Sequence, residues 1–168
     1  TAFNDVLMLK KNLEIMTPER SLVVADGSIT LDEQKAKFIE LTKQGKRPLW
    51  LTLGNAWVGL DISGKSIGLT SDEISEHDNV LTDLIIAKIP FGTNRSITHQ
   101  VRMIKNQHRS SDIELMNTMM LLKQGFGRLV RLDNQPKNRR IHLLDGRLSH
   151  PQYKGYLSMV RALVDTYP

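Results

Sequence analysis

The stretch PLWLTLGNAWVGLDISGKS, Pro48 to Ser66, decides how the chain is read, because an apolar run leads there into a phosphate-loop pattern. PLWLTL at Pro48 to Leu53 has the composition of an interior strand. Gly59-Leu60-Asp61-Ile62-Ser63-Gly64-Lys65-Ser66 then matches a glycine, four residues and Gly-Lys-Ser, the pattern in which backbone N–H groups and a helix N-terminus cradle phosphates. In a working loop the first glycine follows its strand almost at once, and Gly-Lys-Ser opens a long helix. Here Gly54 to Val58 intervene, and the continuation IGLTSDEISEHDN has a weak apolar face with Gly68 in its first turn. Asp61 and Ile62 stand where the loop should wrap closely around phosphate, and a carboxylate opposes an anion there. A self-contained NTPase built on this stretch predicts tight ATP binding by the chain alone; the context argues against it.

Outward from this stretch, strands and helices alternate. Phe3, Val6, Leu7, Leu13 and Met16 share a helical face that stops before Pro18, and SLVVA at Ser21 to Ala25 is a buried strand closed by the turn pair Asp26-Gly27. Thr30 with Glu33 forms a capping-box signature for a helix that Gly45 ends. LIIAKI at Leu84 to Ile89, stopped by Pro90, is a second interior strand, followed by a helix near Ile97 to His108. Ser111 with Glu114 repeats the capping-box signature before a helix carrying Leu115, Met116, Met119, Met120 and Leu122, whose methionines read as core filler. IHLLD at Ile141 to Asp145 is the last strand, and Tyr153, Tyr156, Leu157, Val160 and Leu163 mark a closing helix. This order predicts an α/β domain with a mainly parallel sheet, helices on both faces, and a ligand edge at the carboxyl ends of the strands.

The 168 residues suit one domain, with 40% apolar and 24% charged residues as in ordinary globular chains. The absence of cysteine removes disulfides, thiol nucleophiles and thiolate metal sites, and no apolar run approaches bilayer length. The expectation is a soluble, cytoplasmic protein with no membrane partner. The net charge of +5 is uneven: Ser66 to Phe91 holds five acids against one lysine, and Gly92 to Arg147 eleven Lys and Arg against four acids. A basic half suits a polyanion, although charged runs are more often solvated surface. His77, His99, His108, His142 and His150 show no ligand spacing, so no metal site is predicted. Asp26 and Asp145 each end an apolar run as a Walker B aspartate does, without a phosphate loop to serve.

LLKQGFGRLVR, Leu121 to Arg131, carries the decisive constellation. Gln124, Gly127, Arg128 and Arg131 match QxxGRxxR, and the stretch resembles motif VI of superfamily 2 helicases. WLTLGNAWVGLDISGK resembles motif V of the DinG and XPD branch, LIIAKIPF the strand after it with its terminal Pro-Phe, and IHLLDGRL that branch's ending, in which an Asp-x-Arg follows the last strand. Thr1-Ala2-Phe3 before a helix is similar to the family's Thr-Ser-Tyr. The chain is thereby identified as a member of the DinG/XPD type, with CRISPR-associated DinG-like helicases as the finer resemblance. Residues 1–168 are expected to be the second, C-terminal RecA-like domain, a three-layer P-loop NTPase-type fold; the first motor domain with its Walker A and B motifs is expected elsewhere in the parent protein. Val58 departs from the family's usual glutamate, and the connections after Gly64 and Arg131 are longer than usual.

The resemblance implies roles. Arg128 and Arg131 are the candidate arginine fingers on a γ-phosphate, a task for an always-charged planar fork, and Gln124 positions the attacking water. The alternative reading of the two arginines, less favoured, is a pair of helix salt bridges. Gly59, Asp61 and Gly127 approach the nucleotide, with Asp61 as a plain turn residue the alternative. Thr52, Asn55 and Trp57, at a strand's carboxyl end, are candidates for single-stranded DNA, although Trp57 reads equally as core. The implied cofactors are ATP and Mg2+ in the full-length enzyme, with none bound by this fragment alone. The implied partners are single-stranded DNA, the first motor domain of the same chain and a CRISPR ribonucleoprotein complex, and the expected unwinding is 5′ to 3′. The rival from another class is a nucleic-acid-binding or adaptor domain that kept the fold without the motor.

Overall fold

The structure is a computed structural model that describes residues 3–54, 62–64, 68, 80–91, 96–130 and 139–166. Two compact units, Thr1–Glu76 and His77–Pro168, divide the chain. Mixed helices and short parallel strand pairs make it an α/β protein.

In the first unit, helix α1 (Phe3–Met16) leads to strand β1 (Leu22–Val24), helix α2 (Leu31–Lys43) and strand β2 (Leu49–Leu51). β1 and β2 pair in parallel with Leu22, Val23 and Val24 opposite Leu49, Trp50 and Leu51, as a strand–helix–strand crossover requires. The capping box forms as the sequence predicts: Glu33 N–H donates to the Thr30 hydroxyl, and Thr30 N–H donates to the Glu33 carboxylate at 2.7 Å. Phe38 of α2 packs on Trp50 at 5.3 Å between ring centres, above the buried Val23 and Val24. The buried Gln34 completes this layer, because its carbonyl accepts from the Trp50 indole at 3.1 Å and its amide donates to the Ile29 carbonyl at 3.2 Å. Both ends of a buried amide are thus satisfied, which its burial demands.

Gly27 answers for the turn after β1. Its φ of +84° suits glycine, and a Cβ there would fall 2.7 Å from the Phe3 ring, so the start of α1 rests on the bare backbone of the turn. The rest of the predicted α1 face is less covered than its pattern suggests: Val6 is buried, but Phe3 and Leu7 are exposed and Met16 is 77% exposed. Two paired strands of three residues present too few side chains to cover a 14-residue helix.

In the second unit, strand β3 (Asp83–Ile86) is followed by helix α3 (Ile97–Lys105), a 3-10 turn (Gln107–Arg109), helix α4 (Ser110–Leu129), strand β4 (Arg140–Leu143), two further 3-10 turns and helix α5 (Lys154–Val164). β3 and β4 pair in parallel from Asp83 opposite Arg140 to Ile86 opposite Leu143. Leu122, Phe126 and Leu129 of α4 and Val160 and Leu163 of α5 are buried.

Several predictions from the sequence are corrected here. The second capping box does not form: α4 begins at Ser110 directly from the preceding turn, with Arg109 at the cap position and no side-chain cap bond, so Ser111 already lies inside the helix. β3 stops at Ile86 rather than Ile89, and Ile85 is exposed. Among the described residues each strand has one partner: β1 pairs with β2, and β3 with β4. Met116 and Met120 are exposed rather than core filler. Helix α3 forms where the sequence places it, with Ile97 80% and Ile104 67% exposed and His99 buried, its Nδ1 accepting from Asn117 of α4 at 3.1 Å. An amide that can donate only through nitrogen fixes that ring nitrogen as the acceptor, and this polar contact lies where α3 meets α4.

Candidate functional site

Three of the predicted site residues lie on α4, and the helix sorts them by face. Thr118, Leu122, Phe126 and Leu129 recur at three- and four-residue steps and are buried, which fixes the rotation of the helix about its axis. Gln124 is consequently exposed, and Arg128, one turn on, is half-buried on the same side. Gly127 lies beside them. A Cβ built there meets nothing within 4 Å, and its φ lies outside the left-handed region, so the helix itself does not require glycine. Glycine inside a helix costs about 1 kcal/mol against alanine, and nothing packed against this position in the described residues calls for it. Arg128 lies in the last turn, where the carbonyl end of the helix dipole favours a cation. Arg131 lies outside the described residues.

Thr52 follows β2 directly, at its carboxyl end. Its Oγ1 is buried and has no hydrogen-bond partner among the described residues. Leaving a buried hydroxyl so costs on the order of 1–3 kcal/mol. Asn55, Trp57, Gly59 and Asp61 lie outside the described residues. Ile62, within the apparent phosphate loop, is 1% exposed and belongs to the core.

At the carboxyl ends of β3 and β4 the structure shows a device that the sequence reading held as two separate resemblances. Asp145 accepts from the Ile89 N–H at 2.8 Å and from the Arg147 backbone N–H at 3.0 Å. The Arg147 guanidinium grips the same carboxylate, with Nη2 at 2.6 Å, and donates from Nη2 to the Ile89 carbonyl at 2.7 Å. It also lies 4.6 Å over the Phe91 ring, and Phe91 in turn packs against Tyr153 and Tyr156. Pro90-Phe91 and Asp145-Gly146-Arg147 are therefore two halves of one clasp, joining the ends of adjacent parallel strands. Hydrogen bonds from Arg147 outweigh burial and hold the Asp145 carboxyl at about 2; the same pairing raises the Arg147 guanidinium.

Of the two aspartates that end apolar runs, Asp145 is held by Arg147 and the Ile89 N–H, and Asp26 by the Ser28 hydroxyl and N–H and, at 3.5 Å, by Lys10. Among the described residues no cluster of three His, Cys, Asp or Glu could hold a metal, and no helix is long and apolar enough to cross a membrane.

The family described as "Helicase C-terminal domain" matches residues 8–161, nearly the entire chain. The chain belongs to this family. A comparison with curated proteins finds no match. As a helicase C-terminal domain, the chain keeps the family's pattern from within α1 to within α5, and the 3-10 turns and clasp near the end fall inside the matched span.

Proposed function

We propose that this helicase C-terminal domain is the second motor domain of an ATP-dependent DNA helicase of the DinG type. The observation that carries the reading is the placement of Gln124, Gly127 and Arg128 together on the side of α4 opposite its buried stripe. ATP, with Mg2+ held by another motor domain, supplies the phosphoanhydride whose cleavage drives the motor. Arg128 and Arg131 neutralise charge that develops on the γ-phosphate, Gln124 orients the attacking water, and Gly127 lets the phosphate come close to the helix backbone. Gly59 and Asp61 contribute to the nucleotide wall. Thr52, Asn55 and Trp57 contribute to the single-strand track, where a backbone phosphate meets the Thr52 hydroxyl and a base stacks on the indole. Closure of two motor domains around ATP then moves the strand, in the 5′ to 3′ direction within this branch.

The test is Arg128→Ala and Arg131→Ala in the full-length protein. Loss of an arginine finger lowers ATP turnover about a thousandfold or more, while single-stranded DNA binding without nucleotide stays near its starting value. Unchanged turnover in both variants rejects the arginine assignment. DNA binding without ATPase in the unaltered full-length protein favours the adaptor reading instead.

A further inference from the structure

The loops that enter the first strand pair bring cations together at the end opposite Thr52. Arg20 and Ser21 precede β1, and Lys46 and Arg47 precede β2; with Glu19 they line an open cavity of about 400 Å3 at the amino ends of the two parallel strands. Arg20 donates from Nη1 to the Arg47 carbonyl at 3.2 Å, which ties the two loops together. Among the described residues, Arg20, Lys46 and Arg47 form no ion pair, all three are exposed, and Glu19 is the one carboxylate of the lining.

Helix capping does not account for these cations. The closing carbonyls of α2 are taken by backbone N–H groups, Gln44 on Glu40, Gly45 on Thr42 and Lys46 on Leu41, and the dipole's cation is Lys43 in the last turn. The Lys46 and Arg47 side chains are left for another use. Three cations around one carboxylate, with the Ser21 hydroxyl as a neutral donor between the loops, suit a ligand with closely spaced negative oxygens.

We propose that this cavity is a second nucleic-acid contact, which takes backbone phosphates of a single strand through Arg20, Lys46 and Arg47 at the amino ends of the β1–β2 pair, opposite Thr52. It rests on the reading of the parent protein as one that acts on nucleic acid. Contacts of this kind read no sequence and appear as salt dependence: each phosphate neutralised on a single strand contributes about −0.7 to the slope of log K against log salt.

The experiment measures binding of a fluorescent oligothymidine to the full-length protein over a salt series. In Arg20→Ala/Lys46→Ala/Arg47→Ala the slope becomes shallower by about 2, from three lost contacts, and ATP turnover at saturating oligothymidine is retained with a raised half-saturating concentration. Lys11→Ala/Lys35→Ala/Lys37→Ala removes equal charge from helices α1 and α2 outside the cavity and leaves the slope nearly unchanged. An unchanged slope in the cavity variant, or an equal change in both, overturns the site and leaves the helicase reading standing. No oligothymidine binding by the unaltered protein overturns both.

Discussion

The two strand pairs are both parallel, yet they are held by different means. β1–β2 is covered by α2 through the Phe38–Trp50 contact and the Gln34 amide relay, interactions between neutral groups. β3–β4 is fastened by charge at both ends. At its start, partial burial raises the Asp83 carboxyl, but hydrogen bonds from Thr82, Arg140 and His142 outweigh this and bring it to about 2. At its finish stands the Asp145–Arg147 clasp. The difference teaches that the same topology can rest on packing in one place and on buried electrostatics in another, and that the two respond to different perturbations.

The largest break in this comparison is expected from Arg147→Ala. It removes the guanidinium from the buried Asp145, which keeps only its backbone donors, at about 1.5–3 kcal/mol. Denaturant unfolding of the full-length protein should show this loss, and hydrogen exchange should place it in β3–β4. Replacement by lysine should rescue little, since a point charge cannot reach both Asp145 and the Ile89 carbonyl as the planar fork does.

Acid should separate the pairs next. Asp145 titrates near 2 in the folded chain, against about 3.9 unfolded. A depressed folded value means that its stabilisation is complete above about pH 4 and disappears as pH falls toward 2, on the order of 2 kcal/mol in all. Asp83 adds less, because its partner Arg140 is well exposed. Backbone amides of β3–β4 should therefore lose exchange protection between pH 4 and pH 2 before those of β1–β2; simultaneous loss would contradict the contrast.

Gln34→Ala perturbs the neutral pair. The Trp50 indole and Ile29 carbonyl lose their partner, at about 1–3 kcal/mol, with no pH dependence between 4 and 8. A pH-dependent effect in this variant would show that charge reaches the first pair as well. The smallest effect has the opposite sign: Gly127→Ala should stabilise the fold by about 1 kcal/mol or slightly less and lower ATP turnover. Stabilisation without loss of turnover would remove the close-approach role of Gly127.

What the sequence made legible was local. Thr30 with Glu33 caps α2 because nothing before it is helical; the same signature at Ser111 fails because the chain is already turning at Gln107–Arg109 and runs straight into α4. The apolar run LIIAKIP overstates β3 because the Ile89 N–H is taken by Asp145 rather than by a neighbouring strand. The buried stripe of α4, Thr118, Leu122, Phe126 and Leu129, follows the helical period that the sequence shows over this segment. The clasp was visible only in halves, since its partners lie 56 residues apart and no short pattern links them. Gln34 gave no signal, for a buried amide is marked only by the Trp50 and Ile29 that meet it.

The register of the two pairs also carries a consequence for the order of folding. Asp83 and Arg140 meet across 57 residues, whereas Arg20 and Arg47, at the mouth of the first pair, are 27 apart. Each doubling of a closed loop costs roughly 0.6 kcal/mol of chain entropy. β1–β2 is thus the nearer target for a searching chain, and β3–β4 closes after α3 and α4 have shortened the path between its strands. The Asp145–Arg147 clasp is then a late lock, and weakening it should speed unfolding far more than it slows refolding.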